Sequence, residues 1–477
     1  MAGSRALALR AYARVGSLPV LRQDALLYAA SAIFAVGVAQ IAVTADYREW
    51  AQIAIAPYVI AALASEGILR WRRHGSAASA EQVEREDEAD GSSLLRRSLA
   101  IGVLLLCVLL PLALQISWRA HGRPGAQAQP EVAVIERAGD RFAHFSDPYL
   151  SHPRTVGISP SNDARSVNAD SYFPYLPGMV PFGLLNAVNG PAEVTDARVL
   201  LAGFTLLVVL LALSLARSPS RRRWRAFQFL VALPTGALPI VTGGDDLPVI
   251  ALMLLGLVLV QRRRPLAAGL VLGIAGTLKL TAWPLVILLA LAARDEDDQP
   301  APLRYLAAVL VVIVPVLAAA ASLGPHAFFE NVVMFPLGLT KVHSPAASPL
   351  FGQELVTLLP GLKRELTVGL LGGGAIVILL MFARHVPRDA HAATRFAGWA
   401  LAFVTVIAPA TRFGYLIYPA NLLVWAYLVQ AGHPDSSSVY RAGADLSLPQ
   451  ASKGTPALDL RIETAQLRPE AVPRGVC

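Results

Sequence analysis

Carboxylates gather in one polar stretch of this chain. Glu131, Glu136, Asp140 and Asp147 come early in it, and Asp163 and Asp170 follow. Most loop carboxylates are simply solvated. These lie between apolar runs, where a substrate presents its polar headgroup at a membrane surface and needs a waiting general base. Glu131 is the first choice for that base and Asp147 the second. A second constellation is Thr242-Gly-Gly-Asp245-Asp246-Leu-Pro248. Adjacent acids at the mouth of an apolar run are costly unless they face a polar cavity. They also suit a helix N-cap. A third is Lys279, at the end of a run rich in small residues (Gly269, Gly273, Gly276) that permits close helix packing. Lys279 either snorkels to the interface or binds a phosphate as a point charge. His343 could contact phosphate or sugar from a loop that also carries His326, Glu330, Lys341 and Gln353. Arg412 sits between two apolar stretches with no acid near it in sequence. A boundary arginine of that kind is functional by default, and a phosphate is a natural partner.

Membrane helices have to position these groups. The 477 residues are 55% hydrophobic and only 16% charged, against roughly a quarter charged in soluble domains. Apolar runs of about spanning length recur from 25–44 to 414–431, giving an all-α polytopic transmembrane bundle of about 12–13 helices. The net charge of +8 comes in short clusters between these runs. That is the positive-inside pattern and not a nucleic-acid footprint. Arg70-Trp-Arg72-Arg73, Arg262-Arg263-Arg264 and the stretch 384–388 mark cytoplasmic turns. Loops 119–172 and 323–363 then lie outside. Both termini are placed in the cytoplasm, and the run after Met1–Gln23 reads as an anchor, not a cleavable signal.

Three parts follow. Residues 1–97 hold two helices and an acidic loop, 98–432 a helical core, and 433–477 a polar tail expected to be disordered. One stretch breaks the alternation. The cluster at 221–225 belongs inside, yet two full crossings at 174–190 and 197–216 put it outside. Either 174–190 or 225–241 must therefore be re-entrant, and each carries helix-breaking Pro and Gly. No Walker A loop, HExxH, CxxC or dinucleotide turn is present, so no cofactor is expected, and no metal-ligand spacing emerges. The two cysteines, Cys107 and Cys477, make no framework. Ala and Arg richness, with Lys used only four times, points to a high-GC bacterial genome and hence the bacterial plasma membrane.

Taken in order, these residues resemble the GT-C glycosyltransferases, particularly the bacterial polyprenyl-phosphate-mannose-dependent family, family 87. The first outer loop there reads Asp-Leu-x-Val-Tyr-x-x-Ala-Gly and later Asp-Pro-Tyr. Here Glu131-Val-Ala-Val-Ile135-Glu-Arg-Ala-Gly139 runs ungapped to Asp147-Pro-Tyr149. Phe173-Pro-Tyr175-Leu-Pro177 is similar to that family's Tyr-Pro-Pro-Leu. Gly243-Gly-Asp-Asp246 is similar to its Gly-Gln-x-Asp or Asn. Leu272-Gly-Ile-Ala-Gly-Thr-Leu-Lys279 is similar to its lysine motif, with Pro284 later than expected. The departures are Glu131 for the family's catalytic Asp and Ile135 for its Tyr.

The resemblance implies a donor sugar, mannose first, carried on polyprenyl phosphate and used on the extracytoplasmic face. It implies a lipid or glycan acceptor, membrane lipids around the protein, and inversion. Glu131 would deprotonate the acceptor hydroxyl. Lys279, with Arg412 or His343, would hold the phosphate. Asp245 or Asp246 would bind sugar hydroxyls or orient Lys279, and Tyr149 and Tyr175 would stack on a sugar ring. The rival is a transporter or flippase using Asp245, Lys279 and Arg412 as a polar pathway. An enzyme gathers Glu131, Lys279 and the Asp pair around one cavity; a transporter strings charges through the midplane.

Overall fold

The computed structural model describes residues 18–75, 94–149, 171–337, 339–340, 342 and 346–430. The tail 433–477, the acidic stretch 81–90, Asp163, Asp170, Lys341 and His343 lie outside the described residues. The described chain is helical throughout, with no strand beyond two isolated bridges.

Among the described residues, eight helices are long and apolar enough to cross a membrane. They are α1 (Val20–Ile41), α2 (Ala45–Trp71), α3 (Arg96–Ala120), α5 (Ala197–Leu215), α6 (Ser220–Thr242), α10 (Pro302–Leu323), α11 (Pro360–Arg384) and α12 (Ala390–Ile407). Four shorter apolar helices complete the bundle: α7 (Asp246–Gln261), α8 (Pro265–Leu278), α9 (Leu280–Ala292) and α13 (Phe413–Val429). A polar, amphipathic helix, α4 (Pro130–Ala143), lies between α3 and α5. The protein is a polytopic helical bundle, as its apolar periodicity requires. α7 and α8 form its centre, with every residue from Leu247 to Val258 buried. α10 and α11 leave most of their surface open, as suits helices facing lipid.

The segment 174–190 does not span. It forms an 11-residue 3-10 helix, Pro177–Ala187, because Pro177 and Pro181 remove donors that an α-helix needs. The other candidate, 225–241, belongs to α6. α6 loosens into a π-turn at Gln228–Ala232, and extended Leu233 then precedes Pro234. The freed carbonyls are satisfied within the protein. The Tyr58 hydroxyl donates to Ala232 O (2.7 Å) and Thr235 Oγ1 to Phe229 O. A broken helix at membrane depth needs such cover.

Hydrogen bonds sort the interhelical turns into two ends. At one end Arg262 donates to Leu215 O, Ser218 to Leu428 O and Arg222 to Gln430 O. Asp24 of α1 is buried there, bridged to Arg96 at 2.5 Å and to Arg225 at 2.9 Å. At the other end Gln129 meets Thr242, and Leu176 N donates to Leu278 O (3.0 Å). Thr411 N donates to Ala346 O and Ser348 N to Thr411 O, both at 2.9 Å.

Candidate functional site

α4 enters the second end under tight restraint. Pro130 opens it, where a missing N–H costs nothing. Just before it, Gln129 N donates to Thr242 O (2.9 Å), and Gln129 Nε2 to Thr242 Oγ1 (2.8 Å) and to the Tyr47 hydroxyl (2.6 Å). Further along, Gly139 lies flat on Gly183. A Cβ at Gly139 would meet the Gly183 carbonyl carbon at 2.2 Å, and one at Gly183 would meet Ile135 O at 2.0 Å. The α6 end turns through Gly243, at φ +98°, pressed against Val132 of α4. The helix that carries Glu131 is thereby fixed directly on the turn that carries Asp245 and Asp246.

Five segments distant in sequence converge here. Glu131 forms an ion pair with Arg412, which arrives from the turn before α13. Lys279, extended between α8 and α9, donates to Asp245 Oδ1 (2.8 Å) and Asp246 Oδ1 (2.6 Å). The Tyr418 hydroxyl donates to the same Asp246 oxygen at 2.7 Å. Tyr175 lies beneath Lys279, whose Nζ is 5.1 Å from the ring centroid. That contact holds because Leu176 N is bonded to Leu278 O, one residue before Lys279.

These side chains are sheltered: Lys279 is 12% exposed, Asp245 6% and Glu131 15%. Burial works against the Lys279 charge, but Asp245 and Asp246 more than compensate and hold it protonated. Burial likewise opposes charge on Arg412, and Glu131 restores it. Burial pushes the Asp245 carboxyl up to about 6; Lys279 pulls it down, while Asp246 and Glu131 push it further up. The Tyr175 hydroxyl rises well above its ordinary range through burial and then through Asp245 and Glu131. The Glu131–Arg412 pair and the Lys279–Asp pair are thus electrically one cluster. Within it, Asp245 Oδ2 is buried without a hydrogen bond of ordinary geometry, and the Tyr175 hydroxyl faces the same carboxylate.

Other expected residues lie elsewhere. Asp147 is turned on its own loop: its Oδ1 accepts from Tyr149 N (2.9 Å), and its backbone oxygen accepts from Arg141 Nε (2.7 Å). Tyr149 is 3% exposed, packed against Phe173 and Phe328, with its hydroxyl donating to Tyr175 O. Tyr175 is also buried, with Lys279 over its ring. Both rings are therefore built into the core and do not present open faces to a sugar. Glu136 is locked by Arg119 and Ala197 N. His343 lies outside the described residues.

The structure adds residues that the sequence did not single out. Tyr415 lies within electrostatic reach of Lys279 and Arg412. Arg412, Tyr415 and Tyr418 recur at three-residue spacing, a readable helical face that approaches Lys279. Tyr47 and Gln129 had no comparable signal, because their bond spans 82 residues.

The model of glycosyltransferase family 87 matches residues 174–411. This chain belongs to that family. Neither curated proteins nor solved structures give a match. The glycosyltransferase match takes in the Asp pair and Lys279 and begins after Glu131, while Arg412 follows its last residue by one. The membrane glycosyltransferase therefore joins two kinds of residue in one cluster, some inside the matched stretch and some flanking it.

Proposed function

We propose that the protein transfers a sugar, mannose in the first instance, from a polyprenyl-phosphate donor to an acceptor hydroxyl on the extracytoplasmic face of the bacterial plasma membrane. Lys279 and Arg412 are the cations for the donor phosphate. Glu131 takes the proton of the acceptor hydroxyl as its oxygen attacks the anomeric carbon. The phosphate leaves from the opposite side, so the centre inverts. Cations fixed where the leaving phosphate gathers charge stabilise the transition state and need little reorganisation.

The observation that carries this reading is the convergence of Glu131, Arg412, Lys279 and the Asp pair at one end of the bundle. A polar pathway for transport would run along the helices instead. The pairing refines the roles. Asp246, bonded by both Lys279 and Tyr418, positions the lysine. Asp245 keeps a buried lone-pair oxygen for a donor such as a sugar hydroxyl. Arg412 reaches the phosphate from its resting place on Glu131, and that exchange leaves the base free.

Charge supports an extracytoplasmic site: Arg217, Arg221–Arg223 and Arg262–Arg264 lie on turns at the opposite end, as on a cytoplasmic face. The direct test is transfer from radiolabelled polyprenyl-phosphate sugars by wild type and Glu131→Gln. Full activity in the variant removes Glu131 from the mechanism. No transfer from any such donor by wild type removes the donor class.

A further inference from the structure

We infer that the C-terminal end of α4 is a membrane-interface anchor, with Phe142 and Phe145 inserted into the lipid leaflet at the site's end of the bundle. The inference needs only the membrane bundle and nothing from the transfer reading. α4 closes in a Schellman turn: Ser146 N donates to Arg141 O (2.8 Å) and Phe145 N to Phe142 O (3.0 Å). Such a turn puts one residue in the left-handed region, and Phe145 stands there at φ +55°. Glycine takes that position without strain, whereas any other residue crowds its Cβ against the backbone. Here the position holds a large apolar ring, and the ring is fully exposed. Packing in the core therefore does not offset the strain. The turn itself is fixed: Arg141 Nε donates to Asp147 O (2.7 Å), and Tyr149 N to Asp147 Oδ1 (2.9 Å). Phe142 continues the α4 face of Ile135, Ala138 and Gly139, which are buried, yet is itself 53% exposed. Single apolar residues on a surface are ordinary. Two phenylalanines at one helix end, one of them in a glycine's place, call for an apolar medium.

The neighbours of this turn identify the medium as lipid. Asp147, two residues beyond Phe145, lies against the end of α10: a Cβ on Gly324 would meet Asp147 Oδ2 at 2.7 Å. Phe328 packs edge-on against Tyr149 of the same loop. α10 is a spanning helix with most of its surface open, as a lipid-facing helix has. Its last residue, Leu323, is exposed, and so is Phe329 just beyond Gly324. Phe142, Phe145, Leu323 and Phe329 thus extend the lipid-facing surface of α10 across to α4. The opposite end of α10 carries Arg304, paired with Asp295 among the other charged turns, so this apolar rim lies at the site's end. An amphipathic helix with aromatic side chains on its apolar edge lies in the interface plane of a bilayer that borders it. α4 is about 20 Å long, with Glu131 in its first turn and Phe145 just past its last. Holding one end at the lipid boundary fixes the depth of the other, so the carboxylate is kept level with the lipid headgroups.

The test is nitroxide accessibility in the full-length protein, reconstituted into vesicles of phosphatidylcholine and phosphatidylglycerol, with Cys107→Ala and Cys477→Ser removing the native thiols. A nitroxide at Phe145→Cys or Phe142→Cys should collide more with oxygen, which concentrates in lipid, than with a water-soluble nickel chelate. His144→Cys, at the exposed polar residue between them, should show the reverse. A preference for nickel at either phenylalanine position leaves the helix end in water and overturns the anchor. Protection from both colliders places another part of the protein over the rings and overturns it as well. A second measurement needs no label. Phe145→Gly relieves the left-handed position and should hold or raise the thermal midpoint in detergent. A lowered midpoint would make the ring a packing element of the fold and overturn its assignment to lipid.

Discussion

Glu131 and Glu136 stand five residues apart on α4 and live in opposite electrostatic settings. Glu136 is saturated. Its Oε1 accepts from Arg119 (2.8 Å) and Ala197 N (3.1 Å), and its Oε2 from Arg119 (2.6 Å). Arg119 also bridges to Asp196 at 2.7 Å, and Asp196 binds the fully buried Arg198 at 2.8 Å. Each charge there has a fixed partner that comes from the same stretch of loop and helix ends. Glu131 has a single cation, Arg412, on a half-exposed side chain. Its neighbour Asp245 keeps a buried oxygen without a hydrogen bond of ordinary geometry. A closed ion-pair lattice holds a helix in place. An under-satisfied one leaves positions for a substrate to fill. One helix therefore carries its own anchor and, about 1.4 turns away, the acid we propose as the base.

Substituting each acid separates the two settings. Glu131→Gln should cut transfer by about 10²–10⁴-fold, the range for loss of a general base. Its stability should fall by about 1 kcal/mol, because the Gln amide oxygen can still accept from Arg412. Glu136→Ala should do the reverse. It leaves Arg119 with Asp196 alone and Ala197 N without its acceptor, and should cost about 1–3 kcal/mol, read as a lowered thermal midpoint in detergent, while the protein that remains folded keeps its turnover. If Glu136→Ala loses turnover with an unchanged midpoint, the division between anchor and reactive group is wrong. Lys279→Met should reduce kcat/KM by about 10²–10³-fold, comparable to removing one fixed donor from a site that stabilises developing charge.

The difference between the two acids was only half legible in the sequence. Glu131 could be chosen from its place in the motif running to Asp147-Pro-Tyr149. Nothing local distinguished Glu136, since its partners Arg119 and Ala197 are set by the crossing of three helices. The bundle itself was plain, because apolar length alone decides which segments cross. The exception was 174–190, apolar enough to be counted yet forced into a 3-10 turn by its prolines. Hydropathy measures composition and is blind to missing donors. Charge was ambiguous in the same way. The cluster at 221–225 read as a cytoplasmic marker, but its Arg225 is bound, together with Arg96, by Asp24 buried in α1. Tyr149 and Tyr175 fitted a sugar platform by type. Only packing shows that Phe173, Phe328 and Lys279 already cover them.

Acidity offers a finer contrast, because two aspartates shift in opposite senses. Burial disfavours charge on Asp196, but Arg198 and Arg119 outweigh it and hold the carboxyl below its ordinary range. The stability it contributes is present above pH 4 or so and is lost as the pH falls further. Burial holds Asp245 above its ordinary range, at about 6. The folded protein then binds the extra proton, so stability from this group falls as pH rises from about 4 to 6. Transfer needs Asp245 ionised against Lys279, so activity should climb through the same window, by up to about tenfold per unit below 6. Thermal midpoints across pH 4–8 provide the check. Asp245→Asn should equal or exceed wild type above pH 6, and Asp196→Asn should fall short of it there. A parallel response in the two variants would remove the contrast.

The smallest expected effect falls on Tyr149, and it tests whether a residue of the Asp-Pro-Tyr motif is anchor or platform. Its hydroxyl makes one buried bond, to Tyr175 O at 2.9 Å, and its ring is closed in by Phe173 and Phe328. Tyr149→Phe keeps the ring packing and leaves a single carbonyl unpaired, which should cost about 1 kcal/mol. That carbonyl belongs to the residue whose ring supports Lys279, so the loss reaches the site only through the backbone at Tyr175. Turnover and both KM values should therefore stay within about twofold, while the thermal midpoint drops by a few degrees at most. A raised KM for donor or acceptor with an unchanged midpoint would place the Tyr149 hydroxyl against substrate, on the Glu131 side of the comparison and not the Glu136 side.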